Sequence, residues 1–161
     1  LPYEILYSSV AIADMDCDAL AQLLAESRKR NIELDVTGAL LYFAPTREFF
    51  QVLEGEEAVL RHLMRLIEGD ARHRNVIVAL EGEIKARSFS DWAMGFLLLG
   101  DTDTPWLPGY AAVLQVGVRA LHLTGQSSMG LRLFDLIGAS LKAAEQTGPP
   151  HDPLSVGDRV S

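Results

Sequence analysis

The chain has 161 residues, 48% of them hydrophobic and 22% charged, which suits one globular domain with a core and a small extension and excludes two full domains. Lys and Arg number 14 against 22 Asp and Glu, so a net charge of −8 sets the overall field against nucleic-acid phosphates and anionic lipid. A lone cysteine, Cys17, excludes an internal disulfide, no Cys/His cluster has zinc spacing, and no apolar run reaches the ~18 to 20 residues of a membrane span, so a cytoplasmic protein without a metal is expected.

Residues 3–9, YEILYSS, are a short β-prone run. Asp14, Asp16 and Asp18 then suit the positive start of a helix from about Cys17 to Arg30, with Leu20, Leu23 and Leu24 on one face and Glu26, Arg28 and Lys29 mostly turned elsewhere. VTGALLYF (36–43) and FFQVLEG (49–55) read as two strands joined by a turn at Ala44, Pro45 and Thr46. Val59, Leu60, Leu63 and Ile67 repeat at helical spacing between Glu56 and Gly69, where the glycine marks a stop. NVIVALEGEI (75–84) and WAMGFLLL (92–99) are again strand-like. The order βαββαββ predicts an α+β, ferredoxin-like sandwich over 1–99, a mixed five-stranded sheet with two helices on one face. Residues 100–109 have linker chemistry. Helical patterns at 110–123 and 129–145 make a C-terminal extension over 110–146, expected to cover the far face of the sheet, and 147–161 reads as a flexible tail.

Several polar residues fall on apolar faces. At ~100° per residue, Ser27 and Asn31 lie near the Leu20, Leu23 and Leu24 stripe, and a buried carboxamide without partners costs ~1 to 3 kcal/mol. Asn31 therefore meets local backbone, another polar group or a ligand. Strand alternation puts Gln51 on the face of Phe49 and Leu53, while the opposite row, Phe50 and Val52, is apolar too. Rotation about the last bond of that amide exchanges its donors and acceptor. Tyr7 shares a face with Tyr3 and Ile5; with the first and third strands as central neighbours, Tyr7 and Gln51 touch beneath the helices. Trp92 and Met94 share a face of the last strand by the two-residue period.

Other chemistry is thin. His62, His73, His122 and His151 are scattered, and there is no nucleophile elbow, Walker loop or dinucleotide fingerprint. ESRKRN and GDARHRN are charge clusters of the kind found at solvated helix ends, yet both follow the helices at one edge, where Arg72 and His73 suit a phosphate-bearing ligand whose body lies between the helices.

The motifs YSS (7–9), SRxxN (27–31), VTGALLY (36–42), FxQVLEG (49–55), DxRH (70–73) and FxDWxMG (89–95), in order and with family spacing, resemble a BLUF domain, the blue-light sensor using flavin. The resemblance implies a non-covalent flavin, usually FAD with FMN or riboflavin as alternatives, held between the two helices. It puts Asn31 on the polar edge of the ring and Gln51 between flavin and Tyr7, with Leu23, Ser27, Leu40, Phe49 and Ile67 lining the slot. Arg30, Asp70, Arg72, His73 and Met94 complete the expected flavin contacts. The family scheme implies electron and proton transfer from Tyr7, a rearranged Gln51 and a reversible red shift, relayed by Trp92 and Met94 through the last strand and C-terminal helices. The partners expected are a separate signalling protein and a second copy of the chain, with no enzymatic activity of its own. The chain departs from the common pattern at Arg30, where many members carry Asn or His, and at Leu66, where Arg is frequent. The competing readings are an acyl- or phosphoryl-transfer enzyme using Asn31 with Arg72, and a colourless dimeric binding module.

Overall fold

The computed structural model describes residues 1–99 and 129–146. Along the chain these form β1 (Tyr3–Ala11), α1 (Cys17–Glu33), β2 (Thr37–Phe43), β3 (Glu48–Gly55), α2 (Glu57–Glu68), β4 (His73–Glu83), β5 (Gly95–Leu99) and α3 (Met129–Gln146). The strands make one sheet in the order β4-β1-β3-β2-β5. Neighbours are antiparallel except β2 and β5, which run parallel, so the sheet is mixed and β1 and β3 are adjacent near its centre.

Local chemistry sets the helix bounds. The Asp16 carboxylate accepts the Ala19 N–H at 2.8 Å and caps α1. That helix runs past Arg30 to Glu33, and the chain leaves it through Asp35 in the left-handed region, φ 53°. Gly69 closes α2 as expected, but with φ −83°, so the left-handed freedom of glycine is not used there. It is closeness that demands glycine at Gly38, where an added Cβ would lie 2.0 Å from the Val52 carbonyl oxygen.

Two cores flank the sheet. Leu20 and Leu24 of α1 and Leu60, Leu63, Met64 and Ile67 of α2 cover Tyr3, Ile5, Leu40 and Leu53 on one face. Leu131 and Phe134 of α3 cover Leu6, Leu41, Val52 and Leu97 on the other. The amphipathic pattern expected at 129–145 is thus a helix on the far face. The linker at 100–109, the helical pattern at 110–123 and the tail at 147–161 lie outside the described residues.

The sequence reading of the last strand needs correction. β5 begins at Gly95, not at Trp92, because the Trp92 N–H turns back onto the Phe89 carbonyl at 3.0 Å and interrupts the extended chain. Period-two alternation therefore does not apply to 92–94. Trp92 and Met94 do not share a face: Met94 belongs to the core under α1 and α2, and Trp92 packs into the core under α3.

Candidate functional site

The β1–β3 register sets Tyr7 directly opposite Gln51. The Tyr7 hydroxyl donates to Gln51 Oε1, and Gln51 Nε2 donates to Met94 Sδ at 3.4 Å. Tyr7, Gln51 and Met94 are 4%, 4% and 3% exposed, so this chain of contacts is shielded from water. Burial pushes the Tyr7 phenol well above its ordinary range, against a smaller opposing pull from the Arg30 charge. The phenol thus stays protonated and serves as a donor.

Above the pair, between α1 and α2, opens a narrow cleft of about 50 Å³. Leu23, Ser27 and Arg30 line it from α1, Ile67 from α2, and Tyr7, Leu40, Phe49 and Gln51 from the sheet. Met15, Asp70, Arg72 and His73 complete the lining. Its walls are apolar and its floor carries a phenol and an amide, a combination suited to a flat ring with a hydrogen-bonding edge.

Asn31 and Met94 stand behind this lining rather than in it. Asn31 is 0% exposed; its Nδ2 donates to the Ala93 carbonyl at 2.7 Å, and its Oδ1 has no partner among the described residues. The Arg28 Nε donates to the Met94 carbonyl at 3.0 Å, and the Gly38 N–H to the Trp92 carbonyl at 3.1 Å. Three consecutive main-chain carbonyls, 92 to 94, are therefore held, two by α1 and one by β2. Trp92 packs against Phe89 with the rings tilted 42° and their centroids 5.8 Å apart, on the face away from the cleft.

The charged residues of the cleft are largely paired with one another. Arg72 donates to Asp70 at 2.7 Å and to Glu26 at 2.9 Å, and its hydrogen bonds hold the Asp70 carboxyl below the usual carboxylate range. A phosphate at Arg72 would compete with two carboxylates. Arg30 differs, since its Nε is buried without a partner among the described residues. His73 bridges β1 and α2, Nδ1 to the Ser9 hydroxyl at 2.8 Å and Nε2 to the Ile67 carbonyl. A carbonyl only accepts, so Nε2 carries the proton. Among the described residues no group of three or more His, Cys, Asp or Glu is placed to hold a metal ion, and no helix is long and apolar enough to cross a membrane.

Sequence reasoning passed over two residues here. Met15 precedes α1 in a segment without periodicity, where no signal marks it. Arg28 was assigned to the outer side, but it lies three residues before Asn31 on the same helix, a spacing that brings side chains together.

The family profile described as sensors of blue-light using FAD matches residues 3–95. A photoactivated adenylate cyclase subunit beta from Euglena longa is 35% identical over 92 residues, 56% of this chain. That match spans only 10% of the cyclase subunit, about a tenth of the relative's length. The dark-state structure of BlrB, a BLUF protein, superposes with a TM-score of 0.61 at 26% identity, covering 87% of this chain and 97% of BlrB. Klebsiella pneumoniae BlrP1, solved with FMN and cyclic diGMP, gives 0.63 at 27% identity over 93% of this chain and 37% of BlrP1.

Proposed function

The chain belongs to the family of blue-light sensors using FAD, and from that premise we propose that its signal starts in the Tyr7, Gln51 and Met94 contacts and ends at a separate partner protein. The bound flavin supplies a ring that absorbs blue light and, once excited, is a strong oxidant of a neighbouring phenol. The residues fit such a ring. Leu23, Leu40, Phe49 and Ile67 give the slot its apolar walls, while Arg30 Nε in the lining and Asn31 Oδ1 behind it are an unpartnered donor and acceptor that a polar ring edge would satisfy.

Tyr7 is the oxidisable neighbour, and Gln51 Oε1 already accepts a hydrogen bond from its hydroxyl. Gln51 then turns about its last bond, so that Nε2 faces the Tyr7 oxygen. A thioether has no proton to donate, so the turned amide leaves Met94 without its bond and loosens the segment before β5. The partner protein distinguishes the two arrangements and draws the population toward one of them. Asp70, Arg72 and His73 line the end of the cleft and would flank the flavin side chain. Because the chain spans a tenth of the cyclase subunit, no cyclase activity is assigned to it.

The observation that carries this reading is the amide of Gln51 bridging a phenol and a sulfur, all three side chains buried. The test is spectroscopic. The purified chain is expected to be yellow, to shift its absorption to the red under blue light and to recover in darkness, with the shift lost in Tyr7→Phe and Gln51→Ala while flavin is retained. A Tyr7→Phe variant that photocycles like the parent overturns it. The pigment released on denaturation identifies FAD, FMN or riboflavin.

A further inference from the structure

The face of the sheet opposite the cleft carries two glutamates that this photochemistry does not use. Glu4 and Glu54 are 3% and 0% exposed and stand opposite each other in the β1–β3 register. At their level the row across four strands reads Gly82, Glu4, Glu54, Thr37. Two carboxylates directly opposite on a covered face destabilise a sheet unless each is compensated. Glu54 is compensated threefold: it accepts the backbone N–H groups of Ser88 at 2.7 Å and Phe89 at 2.9 Å and the Thr37 hydroxyl at 3.3 Å. Glu4 accepts the N–H of Gly130, in the first turn of α3, at 3.1 Å, while its Oε2 is buried without a partner among the described residues. The fit is tight, since a Cβ added at Gly130 would lie 2.4 Å from that oxygen.

Each glutamate is three residues from a member of the photochemical pair, on the same strand and the opposite face: Glu4 from Tyr7 on β1, Glu54 from Gln51 on β3. Each also grips an element beyond the sheet. We propose that Glu4 and Glu54 are positioning residues that couple the Tyr7–Gln51 pair to α3, Glu54 by holding the segment that runs through Phe89 to Met94 and Glu4 by holding the first turn of α3. The light dependence of this coupling rests on the function proposed above; the hold on α3 in darkness does not. A change of partner at Gln51 pulls on β3 and on Met94 together, and Glu54 joins those two to the strand that carries Glu4.

The test is amide hydrogen exchange of α3 in the full flavin-loaded chain, read in darkness and under blue light beside the absorption shift. Glu4→Ala and Gly130→Ala are expected to speed dark exchange across residues 131–141 by about tenfold or more, the counterpart of one lost charge-assisted hydrogen bond. Alanine favours helix over glycine, so faster exchange in Gly130→Ala reports lost docking and not lost propensity. Glu4→Gln keeps an acceptor oxygen and is expected to stay within about threefold of the parent. Glu54→Gln, which cannot accept both the Ser88 and Phe89 N–H groups, is expected to keep the red shift and lose the light-induced change in α3 exchange. Unchanged dark exchange in both Glu4→Ala and Gly130→Ala overturns the hold on α3. A light response of α3 in Glu54→Gln equal to the parent's overturns the coupling. Absence of any red shift in the parent counts instead against the light reaction, and the dark exchange rates still decide whether Glu4 holds α3.

Discussion

Met94 and Trp92 are two residues apart and point into opposite cores, Met94 toward Gln51 and Trp92 toward Phe89. Only Met94 is therefore in contact with the amide in this arrangement. Met94→Leu conserves volume, so its stability cost is expected to stay under ~1.5 kcal/mol, while Gln51 Nε2 loses its acceptor. Since that bond favours the dark orientation, the light-shifted form is expected to persist about fivefold longer, corresponding to ~1 kcal/mol. Recovery kinetics after a blue pulse check this; recovery as fast as the parent's would contradict it. Trp92 is only partly buried, so Trp92→Ala should lower stability by ~1 to 3 kcal/mol in denaturant titration and leave the dark spectrum in place.

Asn31→Ala removes the tether to Ala93 and the free acceptor Oδ1 together. Flavin retention is expected to fall by about tenfold, the loss of ~1.4 kcal/mol of hydrogen bonding. The ratio of flavin to protein absorbance after gel filtration measures it, and a ratio equal to the parent's would show that Asn31 does not touch the ligand.

The pH dependence of stability has two components of opposite sign. Burial, the largest cause, raises the Glu54 carboxyl above 4.5, so the folded state holds that proton more tightly than the unfolded chain does. Its contribution is complete below the unfolded value and is lost as pH rises through the raised one. Asp70, held down chiefly by Arg72, contributes above its unfolded value and loses that contribution as pH falls through the lowered one. Denaturant titrations from the ordinary glutamate range upward are expected to show a component that falls as pH rises, which Glu54→Gln removes and Asp70→Asn leaves untouched. A slope identical in Glu54→Gln and parent would rule Glu54 out as its source.

Gly38→Ala is expected to be among the most damaging single-methyl changes in the sheet. The new Cβ meets the Val52 carbonyl oxygen at 2.0 Å; that oxygen belongs to backbone, and a Cβ has no torsion by which to turn away. A loss of ~3 kcal/mol or more is expected, at the upper end for overpacking. A melting curve close to the parent's would mean that β2 and β3 separate more easily than their register suggests.

Much of this architecture was legible because its signals are periodic. The leucine stripe of α1, the aliphatic repeat of α2 and the alternation around Gln51 each report a face, and a buried amide between two apolar rows stands out without any structure. The segment 85–94 resisted for a physical reason. Its conformation is set by hydrogen bonds to distant residues, Glu54, Gly38, Asn31 and Arg28, and not by its own pattern. Reading Trp92 and Met94 as part of a strand followed from that. The buried glutamates were missed although the clue was present: Glu4 alternates with Leu6, and Glu54 with Val52, so both fall in rows that α3 covers. Likewise β4 reads as an apolar strand, yet it is an edge strand and the described residues leave its Ile77 and Val78 exposed.

The three held carbonyls of residues 92 to 94 separate what is anchored from what is adjustable. Every one of those grips is on the peptide group, so they ask nothing of the side chains that the same residues carry. Such a swivel mount lets selection, or a protein engineer, retune the lifetime of the lit form by exchanging one residue at 94 without redesigning the scaffold. A panel of apolar residues of similar volume at that position is accordingly expected to spread recovery times widely while melting temperatures stay bunched.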